Sequence, residues 1–125
     1  MKLVLALILL ITAFPSNGQA VFSFLEKTTF KFPDTKQGQQ LSHTFKFKNT
    51  GNAPLVISNY KVACSCTKAI FTKAPILPNQ QSEITITFDT NGKYGYQDRI
   101  IYIYSNAKKS PIKLRIKVYV YNIEE

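Results

Sequence analysis

The run Ile112-Lys113-Leu114-Arg115-Ile116-Lys117-Val118-Tyr119-Val120-Tyr121 alternates without a break between aliphatic residues and cations or tyrosines. A side-chain period of two belongs to an extended strand, so Ile112, Leu114, Ile116, Val118 and Val120 share one face and Lys113, Arg115, Lys117, Tyr119 and Tyr121 the other. One face is dry and the other wet. The pattern recurs upstream. Leu41, His43, Phe45 and Phe47 alternate with Ser42, Thr44, Lys46 and Lys48, and Ile84, Ile86 and Phe88 alternate with Glu83, Thr85 and Thr87. Leu55 to Ala63 and Asp98 to Ser105 are apolar on both faces or nearly so, which predicts strands in the middle of a sheet. Val21 to Phe32 carries Val21, Phe22, Phe24, Phe30 and Phe32 and predicts one or two short strands interrupted near Glu26 and Lys27. No window of a dozen residues has the apolar spacing of a helix.

Turn chemistry separates these runs at Asp34 to Gly38, Asn49 to Asn52, Pro75 to Asn79, Asn91-Gly92 with Gly95, and Asn106 to Pro111. Gly and Asn tolerate positive φ and Pro presets φ, so each cluster can reverse the chain. About seven short strands with a turn roughly every ten residues predict an all-β fold, a single immunoglobulin-like β-sandwich. There is no Trp, and the two cysteines are too close in sequence to join two sheets as they do in antibody domains.

The amino end, MKLVLALILLITAFPSNGQA, has the order of a secretory signal peptide: Lys2, an apolar stretch from Leu3 to Phe14, then Pro15 and small or polar residues. The stretch is about twelve residues long, whereas a membrane span needs roughly twenty. The expectation is a signal peptide over residues 1–20, cleaved near 18–20, and one domain over 21–125, exported to the periplasm or beyond. Cleavage after Ala20 and cleavage after Gly18 both satisfy the small-residue rule. No cysteine stands at the junction to accept a lipid, and no second apolar stretch offers an integral span. The formal charge of +9 becomes +8 when Lys2 leaves, since the signal holds no acid. Outside the cytoplasm that excess points away from nucleic acid and toward anionic lipid, acidic polysaccharide or an acidic protein surface. It equally describes a strand surface kept soluble by lysines.

The run FKFKNTGNAPLVISNYKVACSCT, Phe45 to Thr67, resembles a bacterial family called domain of unknown function 1573. The pattern continues through most of the chain. Asn49, Thr50 and Gly51 are followed by Pro54, Leu55 and Ile57, by Cys64, Cys66 and Thr67, by Pro75 and Pro78, by Ile84, Ile86, Phe88 and Asp89, then by Gly95, Ser105 and Asn106. Ser65 stands where the family has Gly between the cysteines, and Asn79 where it has Gly after Pro. The resemblance implies an exported immunoglobulin-like domain and no particular reaction. The architecture is also similar to domains of the Hydin and major-sperm-protein type, which act by binding proteins.

Cys64 and Cys66 are the candidates with reactive character. In an extended segment their Cα atoms stand about 7 Å apart on one face, at the edge of disulfide reach. An internal bridge needs a bend at Ser65, and the strain would make it easily reduced. The pair could instead hold a soft metal such as Cu(I), join two molecules, or pack as small apolar residues. Zinc would need four ligands, and the mature chain offers one histidine, His43. His43 lies among core residues, which predicts a packed, hydrogen-bonded side chain rather than a general base. Asp34, Asp89 and Asp98 fall at expected turns or strand starts, where they cap backbone. No phosphate loop or nucleophile elbow is present.

These readings predict a non-catalytic interaction module of the bacterial envelope, without cofactor. Its partner would be a protein or an anionic envelope component, met through the face Lys113, Arg115, Lys117, Tyr119 and Tyr121. The runner-up is a thiol-redox or Cu(I)-binding protein using Cys64 and Cys66.

Overall fold

The computed structural model describes residues 18–122, so the expected signal peptide lies outside the described residues except for Gly18, Gln19 and Ala20. The described residues form nine strands: β1 (Phe22–Phe24), β2 (Thr29–Lys31), β3 (Thr35–Lys36), β4 (Gln40–Asn49), β5 (Ile57–Lys61), β6 (Thr67–Ile70), β7 (Gln81–Asp89), β8 (Gly95–Ser105) and β9 (Ile112–Tyr121). They make two sheets. One has the order β1-β4-β7-β6, and the other has the order β2-β9-β8-β5, with β3 also on β9.

The alternating runs build the core as expected. Phe45 and Phe47 of β4 and Ile84, Ile86 and Phe88 of β7 face Ile101 and Ile103 of β8 and Leu114, Ile116, Val118 and Val120 of β9, all buried. The two inner faces interdigitate in the manner of aligned sandwiches.

Nine strands rather than about seven arise at two places, β3 and β6. Thr35–Lys36, expected within a turn, pairs in parallel with Val120–Tyr121. Pro33 has no N–H for the ladder and breaks one edge path into β2 and β3. Phe32 N–H before it and Gln37 N–H after it still donate to the carbonyls of Lys117 and Tyr121, both at 2.8 Å. Thr67–Ile70, unassigned in the sequence, pairs with β7 as β6. The opening segment supplies two strands to different sheets, β1 antiparallel to β4 and β2 parallel to β9.

β5 corrects an expectation. It lies at a sheet edge, with Ser58, Asn59 and Lys61 exposed, rather than in the middle. The apolar character of Leu55 to Ala63 has another origin: Leu55 leaves the strand path and exchanges backbone hydrogen bonds with Ile76 at 2.9 and 2.8 Å, both side chains being buried. Asp98 is likewise not at a strand start. It lies inside β8 and meets Arg115 Nε at 3.0 Å. Asp89 does cap a turn, accepting from Asn91 N–H at 2.9 Å. Asn79 takes φ of 71°, the left-handed conformation its turn requires.

Candidate functional site

Strand β9 presents its residues as the alternation dictates: Lys113, Tyr119 and Tyr121 are exposed, and Arg115 and Lys117 half-buried, on the side away from the core. Pairing then assembles a wider face. On β8, Tyr102 stands opposite Lys113, Ile100 opposite Arg115, Asp98 opposite Lys117 and Tyr96 opposite Tyr119. On the other flank, Lys31 of β2 stands opposite Lys117 and Lys36 of β3 opposite Tyr121. At the far edge, β5 sets Lys61 opposite Tyr102 and Asn59 opposite Tyr104. The outer face of the five-stranded sheet therefore joins lysines from four strands to tyrosines from two, with Asp98 as its acid among the described residues.

These side chains order one another. Tyr96 and Tyr119 meet edge to face with centroids 5.7 Å apart. Lys31 Nζ lies 5.8 Å above the Tyr96 ring and 3.4 Å from its hydroxyl. Lys113 Nζ lies 5.9 Å from the Tyr102 centroid, within cation–π range. Tyr96 is 66% exposed, which leaves much of its side chain accessible to a partner. The other sheet differs in chemistry. Its outer face pairs Ser42 with Thr87, Thr44 with Thr85 and Lys46 with Glu83. Hydroxyls dominate there, and Lys46, Lys48 and Lys68 are accompanied by Glu83 and Asp89 but by no tyrosine.

Cys64 and Cys66 form a disulfide, with Sγ–Sγ 2.05 Å and Cα–Cα 5.1 Å. The bend at Ser65 that shortens the Cα distance is a tight turn in which Thr67 N–H donates to the Cys64 carbonyl at 3.1 Å. Asn79 is the one non-glycine at positive φ among the described residues, so this turn accepts Ser65 where the family has Gly. Asp89 N–H donates to the Cys66 carbonyl at 2.9 Å, tying the turn to the end of β7. Both cysteines are half-buried, and Cys64 borders a shallow groove of about 240 Å³ whose other wall includes Asp98, Ile100 and Tyr102 of β8. No group of three or more His, Cys, Asp or Glu that could hold a metal occurs among the described residues.

His43 is held by rings: it stacks on Phe30 at 3.6 Å and meets Phe45 and Phe32 edge-on at 4.7 and 6.4 Å. Burial among these rings pushes its pKa below the ordinary 6.5, and the Glu26 carboxylate pulls weakly the other way.

The Asn-Thr-Gly element was legible as a turn, but its work was not. Asn49 is fully buried at the end of β4. Its Nδ2 donates to the carbonyls of Ala53 and Ile76, both at 2.9 Å, and its Oδ1 accepts from Gly51 N–H at 3.0 Å and Val21 N–H at 3.2 Å. Both donors and both acceptor sites of one amide are used. Gly51 is required beside it, because a Cβ there would collide with the Gln19 carbonyl and lie 2.8 Å from Val21 N. Residues 19–21 pass directly over this glycine.

Two sheets packed as a sandwich, with no helix among the described residues, make an immunoglobulin-like fold. The chain belongs to the family described as protein of unknown function (DUF1573), whose model matches residues 23–120. A Porphyromonas gingivalis W83 protein of unknown function is similar in structure, with a TM-score of 0.71 and 16% identity over 86% of this chain and 50% of that one. This chain thus spans half the length of that protein. PapD-like domain 7 of human CEP192 (TM-score 0.65, 12% identity) is matched over 94% of this chain and 95% of that domain. The Vibrio cholerae VesB protease (TM-score 0.62, 11% identity) is matched over 81% of this chain and 32% of the protease. At these identities the likeness is one of fold. No curated protein matches the sequence.

Proposed function

We propose that this chain is an exported, non-catalytic interaction module of the bacterial cell envelope, and that it binds through the outer face of its five-stranded sheet. One observation carries the reading: pairing gathers Lys31, Lys61, Lys113, Arg115 and Lys117 around Tyr96, Tyr102 and Tyr119 on one open face, while the opposite sheet is hydroxyl-rich, mixes lysines with acids and carries no tyrosine. Export rests on the residues that precede the domain, and the envelope setting on the family resemblance. Aromatic anchors beside cations favour a protein or an anionic envelope component as partner. Pull-down from envelope extracts with the signal-less chain tests this. Capture should be lost in Lys113→Glu/Lys117→Glu and kept in Lys46→Glu/Lys48→Glu. Recovery of nothing above that charge-matched control would sink the reading.

A second reading, thiol–disulfide exchange, is favoured by the half-exposed bridge beside the β8 groove. Its electrons would come from a reduced partner thiol, which would attack one sulfur and release the other. Binding of Cu(I) would likewise require the reduced pair. Free-thiol titration after treatment with a graded glutathione buffer decides it: a pair that stays oxidised throughout, with no Cu(I) uptake, removes both forms.

A further inference from the structure

The outer face sets two cations opposite each other on neighbouring strands. They are Lys31 and Lys117, and like charges so placed repel. Asp98, on the far side of Lys117, is engaged by Arg115 at 3.0 Å. An anion seated over Lys31 and Lys117 would relieve that repulsion, and the tyrosines beside them limit what the anion belongs to.

We infer that this face holds an extended acidic polysaccharide, its anionic groups over the lysines and its sugar rings against Tyr96, Tyr102 and Tyr119, an inference that rests on the reading of this face as the binding surface. A sugar ring presents apolar, slightly positive C–H groups that suit the negative face of an aromatic ring. Its hydroxyls find phenols and lysines at the rim. Tyr102 has Lys113 on one flank and Lys61 on the other, so a ring stacked there has a cation within reach on either side. The contacts of Lys31 with Tyr96 and of Lys113 with Tyr102 order these side chains in advance, which lowers the entropic cost of binding.

Shape points the same way. From β5 to β2 the face spans three strand gaps, about 15 Å, and side chains on one face recur roughly every 7 Å along a strand. An open surface of this kind fits a linear polymer better than a small molecule, which needs a concave pocket. A protein partner is less well suited, because the centres of protein interfaces are depleted in lysine, whereas a hydrated glycan leaves lysines wet. A bilayer would call for apolar anchors among the cations. The exposed aliphatic residues Leu25, Ile70 and Leu77 belong instead to the four-stranded sheet and its connections.

The experiment is calorimetric titration of the signal-less chain with alginate, a polyuronate, against neutral dextran, anionic phospholipid vesicles and a single-stranded oligonucleotide. Lys31→Gln/Lys117→Gln and Tyr96→Ala/Tyr119→Ala should each weaken alginate binding about tenfold, Lys46→Gln/Lys48→Gln should change it less than about twofold, and dextran should not bind. Relief of repulsion adds a readout free of ligand: Lys31→Gln/Lys117→Gln should raise Tm at low salt. Equal losses for the two lysine pairs would overturn the inference. So would alginate binding that ignores the tyrosines, or tighter binding to vesicles or oligonucleotide than to alginate. If alginate fails but Lys31→Gln/Lys117→Gln abolishes protein capture from envelope extracts, the glycan is wrong and the face stands. If that pair affects neither, both fall.

Discussion

Asn49 concentrates more of the fold in one side chain than any core aliphatic does. Replacing it by Ala strands backbone groups of Val21, Gly51 and Ala53 and takes one of two donors from the Ile76 carbonyl, which keeps Leu55 N–H, and a buried unsatisfied group costs about 1–3 kcal/mol. Asn49→Ala should lower stability by about 3 kcal/mol in urea unfolding. Asn49→Asp should be at least as damaging at pH 7, since a carboxylate would face two carbonyls, and should partly recover in acid once it can donate. The disulfide is expected to matter far less. It closes a loop with one intervening residue, for which loop entropy gives only about 1.5 kcal/mol, so a reducing agent should shift the urea midpoint modestly and leave the circular dichroism spectrum unchanged. His43 sets a pH dependence. Its folded pKa lies below the unfolded value of 6.5, so the unfolded chain binds more protons between the two values. Its contribution is fully present above 6.5 and is lost as pH falls from there through the folded pKa. Wild type should lose stability as pH falls below 6.5 in a step that His43→Gln lacks; the same step in both proteins would contradict this.

At the scale of elements, the strands with strict alternation could be read from the chain, and those whose partners define them could not. β4, β7 and β9 announce themselves because each has one buried face. β6 is four residues long, and β3 exists only because β9 lies beside it in parallel, a pairing no local pattern encodes. The candidate face shows the same division. Its β9 row was legible, and Tyr102 and Tyr104 visibly alternate with Ile101 and Ile103, but Lys31 and Lys61 join it only through the order β2-β9-β8-β5. The segment before β1 is the clearest case. Ala20 is fully buried and bridges Ala107, its carbonyl accepts from Lys108 N–H at 2.9 Å, and Gln19 exchanges hydrogen bonds with Asn52 at 2.8 and 3.0 Å. Of the two cleavage points the sequence allows, the one after Gly18 keeps these contacts and the one after Ala20 deletes them. If the chain is exported as proposed, its mature form is expected to begin at Gln19 by mass spectrometry, and a chain begun at Val21 should be less stable by about 2 kcal/mol.

Across the whole molecule, the two sheets differ: one outer face mixes hydroxyls with charges of both signs, and the other is cationic and aromatic. Salt should therefore stabilise the free protein through the Lys31 and Lys117 pair while weakening any anionic partner. The segment over Gly51 has a mechanical meaning as well. Residues 19–21 lie at the end of the sandwich where β9 begins, and Tyr121 lies at the other end, beside Lys36. Tension applied between residues 19 and 121 would pull β1 and β9 along their lengths in opposite senses. The bonds that tie β1 to β4 and β9 to β8 would then be loaded together in shear rather than opened one by one. Forced unfolding follows the unfolding rate, so in single-molecule pulling this domain should yield at higher force through its ends than through a linkage that peels β1 from β4. Any tether placed under load through its two ends would need that resistance.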